Sequence, residues 1–454
     1  MSSATDVAGR ALEAARGEEA EAVAVAELSG LARFAASEVH QPTLIENTVV
    51  TLRVVRDGKV GWASTNRVED DGLRDLATRA AEAADSARPD ETFPGLATPE
   101  PLPAIEGYDE ATAELGADEQ ARLAAAAIEA ATRYPVYGFF TSGVTEIAVA
   151  SSNGVTAEQR LTDATALVIA AGEGASGYAE GTSWAADRVD PRAVAREADE
   201  KAARTLEARA VDPGHYRAVL EPYAFAELLQ YFAYDSFGGQ GLLEERSYLC
   251  GRIGERVFDS KISIADDALD PRGLPKAFDF EGSPKQRVEL VTDGVPRGVV
   301  WDRETAAQAA DGAVPTGHAP PLLLRDYGPL PFALSVAGGE AHSVEELAEL
   351  VGDGIYVTRL HYLSIVDPRE GVITGMTRDG TFRIRDGRVA EPLVNLRFTV
   401  SVPELLADVP GLTREPTLVN QSDFYGERFP FGVLTPAIAT ARFNVSGSGS
   451  APGI

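Results

Sequence analysis

The chain has 454 residues, of which 44% are apolar and 24% charged; that length is a prior for two to four domains, and the balance excludes the apolar-poor disordered class. Forty-one Lys and Arg stand against 70 Asp and Glu, a formal charge of −29, so nucleic acid and anionic membrane faces are repelled overall and neither is expected as a partner. The one cysteine, Cys250, cannot make an intrachain disulfide. Nothing approaches the roughly 18 apolar residues of a membrane span, and the opening MSSATDVAGR has neither the basic nor the apolar region of a signal peptide; a cytoplasmic location is expected.

The first 70 residues read as a short helix followed by strands. The run Thr48 to Val55 leads into Arg56-Asp57-Gly58-Lys59 and then Val60 to Ala63. Asp-Gly between two β-rich runs predicts a type I′ hairpin, because both central residues need φ > 0. The same signal recurs at Asn153-Gly154, Asp293-Gly294, Asp379-Gly380 and Asp386-Gly387, so antiparallel sheet is expected in both halves. Leu73, Leu76, Ala77, Ala80, Ala81 and Ala84 fall at helical spacing, as do Leu123, Ala127 and Ala130, and Asp190-Pro191 opens a third helix that runs to about Leu206. The prolines from Pro89 to Pro103 forbid helix and central strand there. Asp212-Pro213-Gly214 closes the polar helix ahead of a strand-like Tyr216 to Leu220. The expected architecture is α+β with two domains, 1–210 and 211–447, each with antiparallel sheet and packed helices; the Ser/Gly-rich end from Ser446 reads as flexible, with 448–454 as tail.

Motifs with chemistry are sparse. No two of His40, His215, His318, His342 and His361 lie at the spacing of a helical zinc pair, and there is no HExxH. Cys250 sits among apolar residues without a nearby histidine and reads as a small packed hydrophobe. Gly238-Gly239-Gln240-Gly241 follows a helix and lacks the Lys-Ser/Thr ending of a phosphate loop, and no G-x-S-x-G elbow is present. The adjacent carboxylates Asp266-Asp267 and Glu244-Glu245 read as solvated faces. In Gly354 to Ser364, regular alternation would put Ile355, Val357, Arg359 and His361 on one face, and Tyr356, Thr358, Leu360 and Tyr362 on the other. Arg359 and His361 then project together, either into a cleft suited to a peptide carboxylate or carbonyl or onto a solvated face. Composition and spacing alone leave the function open.

Several ordered segments resemble the TldD/PmbA family, the so-called modulators of DNA gyrase. They are Leu31 to Asn66 in the N-terminal half, and Phe278 to Ala306 (FDFEGSPKQRVELVTDGVPRGVVWDRETA), PTGHA at 315–319, GDGIYVTRL at 352–360 and FRIRDGRVAEP at 382–392 in the C-terminal half. The resemblance spans roughly residues 20–447. It implies a two-domain subunit that dimerises around an internal cavity in a proteolytic system. In TldD-type members a helix carries HExxxH, whose histidines hold zinc and whose glutamate is the general base, with a further ligand near the C-terminus. The corresponding helix here is Tyr223 to Asp235, with Gln230 at the first histidine, Tyr231 at the glutamate and Asp235 at the second histidine. Phe431 to Gly447 has neither Cys nor His.

The resemblance therefore implies a metal-free TldE/PmbA-like subunit with no cofactor of its own, paired with a zinc-bearing TldD-like chain that acts on peptides or unfolded polypeptides. Two alternatives stay open. One is a homodimeric hydrolase of peptide or amide bonds that uses His361, Asp235 or Tyr231; the other is a non-enzymatic protein that binds a peptide or small ligand.

Overall fold

The computed structural model describes residues 3–310, 312–422 and 428–449. After α1 (Ala4–Ala14), whose first turn is capped by the Ser3 hydroxyl, come β1 (Glu19–Ala35), β2 (Glu38–Arg56) and β3 (Lys59–Thr65), then α2 (Asp70–Ser86), α3 (Glu110–Ala113) and α4 (Ala117–Ala130). β4 (Val136–Ser151), β5 (Thr156–Gly172), β6 (Ala175–Ser183) and α5 (Pro191–Ala203) complete the N-terminal unit. Its six strands form one antiparallel sheet in the order β3-β2-β1-β4-β5-β6. The Asp57-Gly58 hairpin forms as expected, with φ of 52° and 70°.

Strand periodicity then divides the sheet into two faces. Ala20, Ala22, Ala24, Val50, Leu52 and Val54 pack on α1 and α2, and Ala164, Ala166, Val168 and Ala170 pack with α4 and α5. Small residues let the helices sit close. At Gly61 a Cβ would come within 2.2 Å of the α2 backbone. The other face, carrying Val23, Ile147, Val149, Ala157 and Leu161, is covered by the C-terminal half through Ala277 and Phe278.

The C-terminal unit begins with β7 (Gly214–Leu220), α6 (Pro222–Ser236) and α7 (Gly239–Leu243). A mixed six-stranded sheet follows from β8 (Ile264–Asp266), β9 (Val288–Thr292), β10 (Val295–Pro296) and β11 (Leu334–Val336), with α8 (Arg303–Gln308) between β10 and β11. After α9 (Val344–Val351) come β12 (Gly354–Asp367), β13 (Val372–Arg385), β14 (Arg388–Pro392), β15 (Leu396–Ser401), α10 (Val402–Leu406), β16 (Gly411–Leu412), β17 (Thr417–Asn420), β18 (Gly432–Thr435) and β19 (Ile438–Ser448). β17 and β18 complete the mixed sheet, whereas β12-β7-β19-β15-β13 closes on itself through the β12–β13 pairing. Ile355, Val357, Leu360, Phe398 and Phe443 from this ring join Phe225, Leu228, Leu229 and Phe232 of α6 in one core.

Four expectations change. Asp266, expected on a solvated face, is fully buried, where it shares a hydrogen bond with His318 Nε2 at 2.9 Å and accepts one from the Ala333 amide. Asp379-Gly380 is not a hairpin: it lies inside β13, with φ of 56° and 130°, as a bulge of two residues opposite Thr358 of β12. β12 also departs from regular alternation after Thr358. Leu360 joins Ile355 and Val357 in the core, while Tyr356 and Thr358 both donate hydrogen bonds to the buried Glu221. At the end of the chain Gly447 and Ser448 extend β19 and pair with Arg397 and Leu396; residues 450–454 of the expected tail lie outside the described residues.

A buried ion pair ties the halves together. Arg428 donates from Nε and Nη2 to the two oxygens of Asp163 on β5 at 2.8 and 2.6 Å, a bidentate geometry that is both strong and directional.

Candidate functional site

Pro222 occupies the first turn of α6, where its missing N–H costs nothing. Phe225, Leu228, Leu229 and Phe232 then give the helix a continuous apolar face toward the core. Its other stripe is Tyr223, Glu227, Tyr231 and Tyr234, spaced at four, four and three residues and therefore on one side. This stripe lines a cavity of about 320 Å³ between the two halves of the molecule. Leu167 of β5 and Tyr178 and Glu180 of β6 form the facing wall, and Arg359 of β12 with Asn420 and its neighbours closes the ends.

Glu180 is fully engaged: Tyr178 donates its phenol to Oε2 at 2.6 Å and the Asn420 amide donates to Oε1 at 2.7 Å. Tyr178 and Tyr223 meet edge to face at 5.3 Å. The Arg359 guanidinium lies 4.3 Å from the Tyr178 ring centroid and 3.2 Å from Asp379 Oδ2. Ser176 on β6 donates to the other Asp379 oxygen. Glu227 differs from all of these, since its carboxyl has no hydrogen bond or ion pair among the described residues. Burial pushes Glu227 up to about 7, against the pull of Arg359 and with the help of Glu180. Burial likewise pushes Glu180 up to about 7, partly offset by the Tyr178 and Asn420 hydrogen bonds and by Arg359. The site thus holds two carboxyl groups raised toward neutral pH beside the half-buried cation of Arg359.

A second cavity, of about 390 Å³, lies on the other side of the Arg359–Asp379 pair and is lined by Ser176, His361, Tyr362, Arg378, Asp379 and Asn395 among others. Burial, with Arg378 and Arg359 nearby, holds His361 down at about 4, so its imidazole is neutral at pH 7. Its ring rests 3.9 Å from that of Tyr362.

Of the five residues singled out from sequence, Tyr231 and Arg359 meet in the first cavity and His361 lines the second. Gln230, three residues after Glu227 and four before Tyr234, is buried on the flank of the same stripe without lining the cavity, and its amide oxygen and nitrogen have no partners among the described residues. Asp235 is ion-paired to Arg246, which also binds Glu244. Sequence reasoning passed over Tyr178, Glu180 and Glu227. For Glu227 a signal existed, since it is the one carboxylate in the tyrosine stripe of an otherwise apolar helix.

A catalytic zinc needs three protein ligands of nitrogen, sulfur or oxygen type around an open position. The residues present do not fit that requirement. Glu180 has both oxygens committed, Arg359 puts a fixed positive charge where an ion would sit, and among the described residues no group of three or more His, Cys, Asp or Glu is placed to hold a metal.

Fold and site together define an α+β protein with a cleft between its halves, built from carboxylates, phenols and one arginine. The sequence matches three family models: PmbA/TldA metallopeptidase domain 1 over residues 20–84, the central domain over 109–206 and the C-terminal domain over 213–447. The chain belongs to the PmbA/TldD metallopeptidase family. The three matches divide the N-terminal half at the proline-rich connection and break again near Gly214, where β7 starts.

Among curated relatives, a metalloprotease of Methanothermobacter thermautotrophicus is 26% identical over 413 residues, covering 87% of this chain and 88% of that one. A metalloprotease TldD homolog of Haemophilus influenzae is 26% identical over 60% of this chain and 58% of its own length. The crystal structure of TldE from Thermococcus kodakarensis superposes with a TM-score of 0.85 at 20% identity, over 97% of this chain and 99% of that one. No helix among the described residues is long and apolar enough to cross a membrane.

Proposed function

We propose that this chain is a metal-free, TldE/PmbA-like subunit of a peptidase system, in which a zinc-bearing TldD-like partner carries the hydrolytic chemistry on peptides or unfolded polypeptides. The observation that supports this reading best is the composition of the α6 cleft. Where a metallopeptidase helix would present ligands, this one presents Tyr223, Glu227, Tyr231 and Tyr234 to Arg359 and Glu180. Such a surface suits a polypeptide backbone: phenols and carboxyls can donate or accept, and the half-buried Arg359 can meet a carbonyl or carboxylate. The role assigned to this chain is holding the substrate.

The test has two arms. Elemental analysis of the purified chain is expected to find no stoichiometric zinc, and Asp235→Ala is expected to change the activity of a reconstituted pair by no more than a few-fold. Light scattering with a co-expressed zinc subunit is expected to give a heterodimer that forms at the expense of self-association. About one tightly held zinc per chain, or a strict monomer that ignores the zinc subunit, would sink the proposal.

His361 provides a finer check. Its ring has no hydrogen-bond partner among the described residues, so little stability depends on it. His361→Ala is expected to leave the melting temperature unchanged while lowering peptide turnover by the pair. Unchanged turnover would remove the second cavity from the substrate path.

A further inference from the structure

A third cavity, of about 110 Å³, lies away from α6 on the sheet face that the C-terminal half covers. Its floor is Val23 and Val25 of β1, Val49 and Thr51 of β2, with Arg53 and Trp62 beside them. Glu281, Asp302 and Glu304, with the strap Ala319 to Arg325, make the opposite wall. That volume equals about four waters at roughly 30 Å³ each, enough for a ligand with a handful of heavy atoms.

The polar groups here are incompletely matched. Arg53, only 3% exposed, binds Glu21 Oε1 at 2.6 Å and Glu281 Oε1 at 3.1 Å. Its Nε, the Trp62 indole N–H and Glu21 Oε2 are all buried without a hydrogen-bond partner. Three such orphans in one place are unusual, because each forfeits the hydrogen bond it had in water. Two of them are donors, which ask for an acceptor. Arg325, exposed and 5.0 Å from the Trp62 ring, makes no hydrogen bond or ion pair with its side chain among the described residues and offers a free cation beside that ring.

Carboxylates line the same cavity beside these cations. Glu304 makes no hydrogen bond or ion pair among the described residues. Asp302 uses only Oδ1, to cap Thr305. Burial pushes Asp302 up to about 6 and raises Glu304 as well, while Arg325 and Arg53 pull Glu304 down and Asp90 and Glu281 push it up. The carboxylates do not form a metal cage. What answers both the unpartnered donors and the unpartnered carboxylates is a ligand with a donor cation and an acceptor anion a few atoms apart.

We infer that this cavity binds a small free α-amino acid. Its ammonium is held by Glu304, Asp302 and Glu281, its carboxylate by Arg325 and the Trp62 indole N–H, and its side chain by the valine floor. The inference uses no residue of the α6 cleft and stands whether or not the chain serves a peptidase.

The test is calorimetric titration of the full chain with L-alanine, compared with alaninamide, which lacks the carboxylate, and propionate, which lacks the amine. L-Alanine is expected to bind saturably at one site per chain. Each analogue is expected to bind roughly tenfold more weakly, the loss of one charge-assisted contact. Arg325→Met should abolish the preference for alanine over alaninamide, and Glu304→Gln the preference over propionate. Both replace side chains that make no hydrogen bond or ion pair among the described residues, and unchanged melting temperatures will verify that both variants fold. Absence of saturable alanine binding at millimolar concentration overturns the proposal. So does equal binding of alanine and alaninamide, or alanine affinity unaltered in both variants.

Discussion

Arg359→Leu is expected to destabilise the folded chain by about 3–5 kcal/mol, the usual cost of removing one partner of a buried ion pair. Asp379 is 2% exposed, so without Arg359 its charge is left in a low-dielectric interior. The remaining cation, Arg378, is 3.9 Å away and half in solvent. The contact is ionic more than directional: Arg359 Nη1 lies 3.2 Å from Asp379 Oδ2, yet that oxygen has no well-aligned hydrogen bond. Loss of Tyr178 as a cation–π partner adds to the cost. Arg359→Leu combined with Asp379→Asn is expected to recover most of the loss, because the second change removes the orphaned charge. Urea unfolding of the wild type, both single variants and the double variant measures the coupling. A single-variant cost below about 1 kcal/mol would mean that the pair is screened by water as a surface bridge is, and the wall between the two cavities would then not be rigid.

This pair also marks the limit of what the sequence could convey. Asp57-Gly58 and Asp379-Gly380 are the same dipeptide, and both place Asp and Gly at positive φ. At Asp57 the chain reverses, and the last residues of β2 pair with the whole of β3 in a hairpin. At Asp379 the strand continues, since β12 supplies a partner on both sides of the irregularity. Local chemistry determines φ, but only the distant partner strand decides between a turn and a bulge.

The helices were legible for a different reason. Leu73, Leu76, Ala77, Ala80 and Ala84 advertise α2 within a single window, and the apolar stripe of α6 does the same. The cleft was not, because its members come from β5, β6, α6, β12 and the segment after β17. Glu180 looks like any strand glutamate until Asn420, 240 residues away, donates to it. A helix-centred reading of α6 therefore emphasises Gln230 and Asp235, of which the fold buries the first outside the cavity lining and pairs the second with Arg246.

Glu227→Gln is expected to make the chain relatively more stable than wild type at pH 8 than at pH 5, by about 2–3 kcal/mol. In the folded state burial raises the Glu227 carboxyl from 4.5 to about 7, a displacement equivalent to about 3 kcal/mol between its two protonation states. Between those limits the folded chain holds a proton that the unfolded chain has released. Stability from this group is therefore fully present below about 4.5 and lost as pH rises through 7. Glutamine cannot ionise and does not incur that loss. Burial raises Glu180, Glu21 and Asp279 to about 7 and Asp302 to about 6, so these act in the same sense as Glu227, and other groups act elsewhere or in the opposite one. Burial depresses Lys276 to about 7, which adds stability between 7 and 10.5; Asp266, held down to about 2 despite burial by His318 and Lys285, protects only above about 2 to 3.8. His361, lowered to about 4, works against Glu227 between 4 and 6.5. Those contributions are common to both proteins and cancel in the difference between variant and wild type. Urea midpoints of the two proteins at pH 5 and pH 8 supply that difference. If it is the same at both pH values, Glu227 ionises as it would in water, and the carboxyl that faces the cleft is solvated and not held ready to exchange a proton.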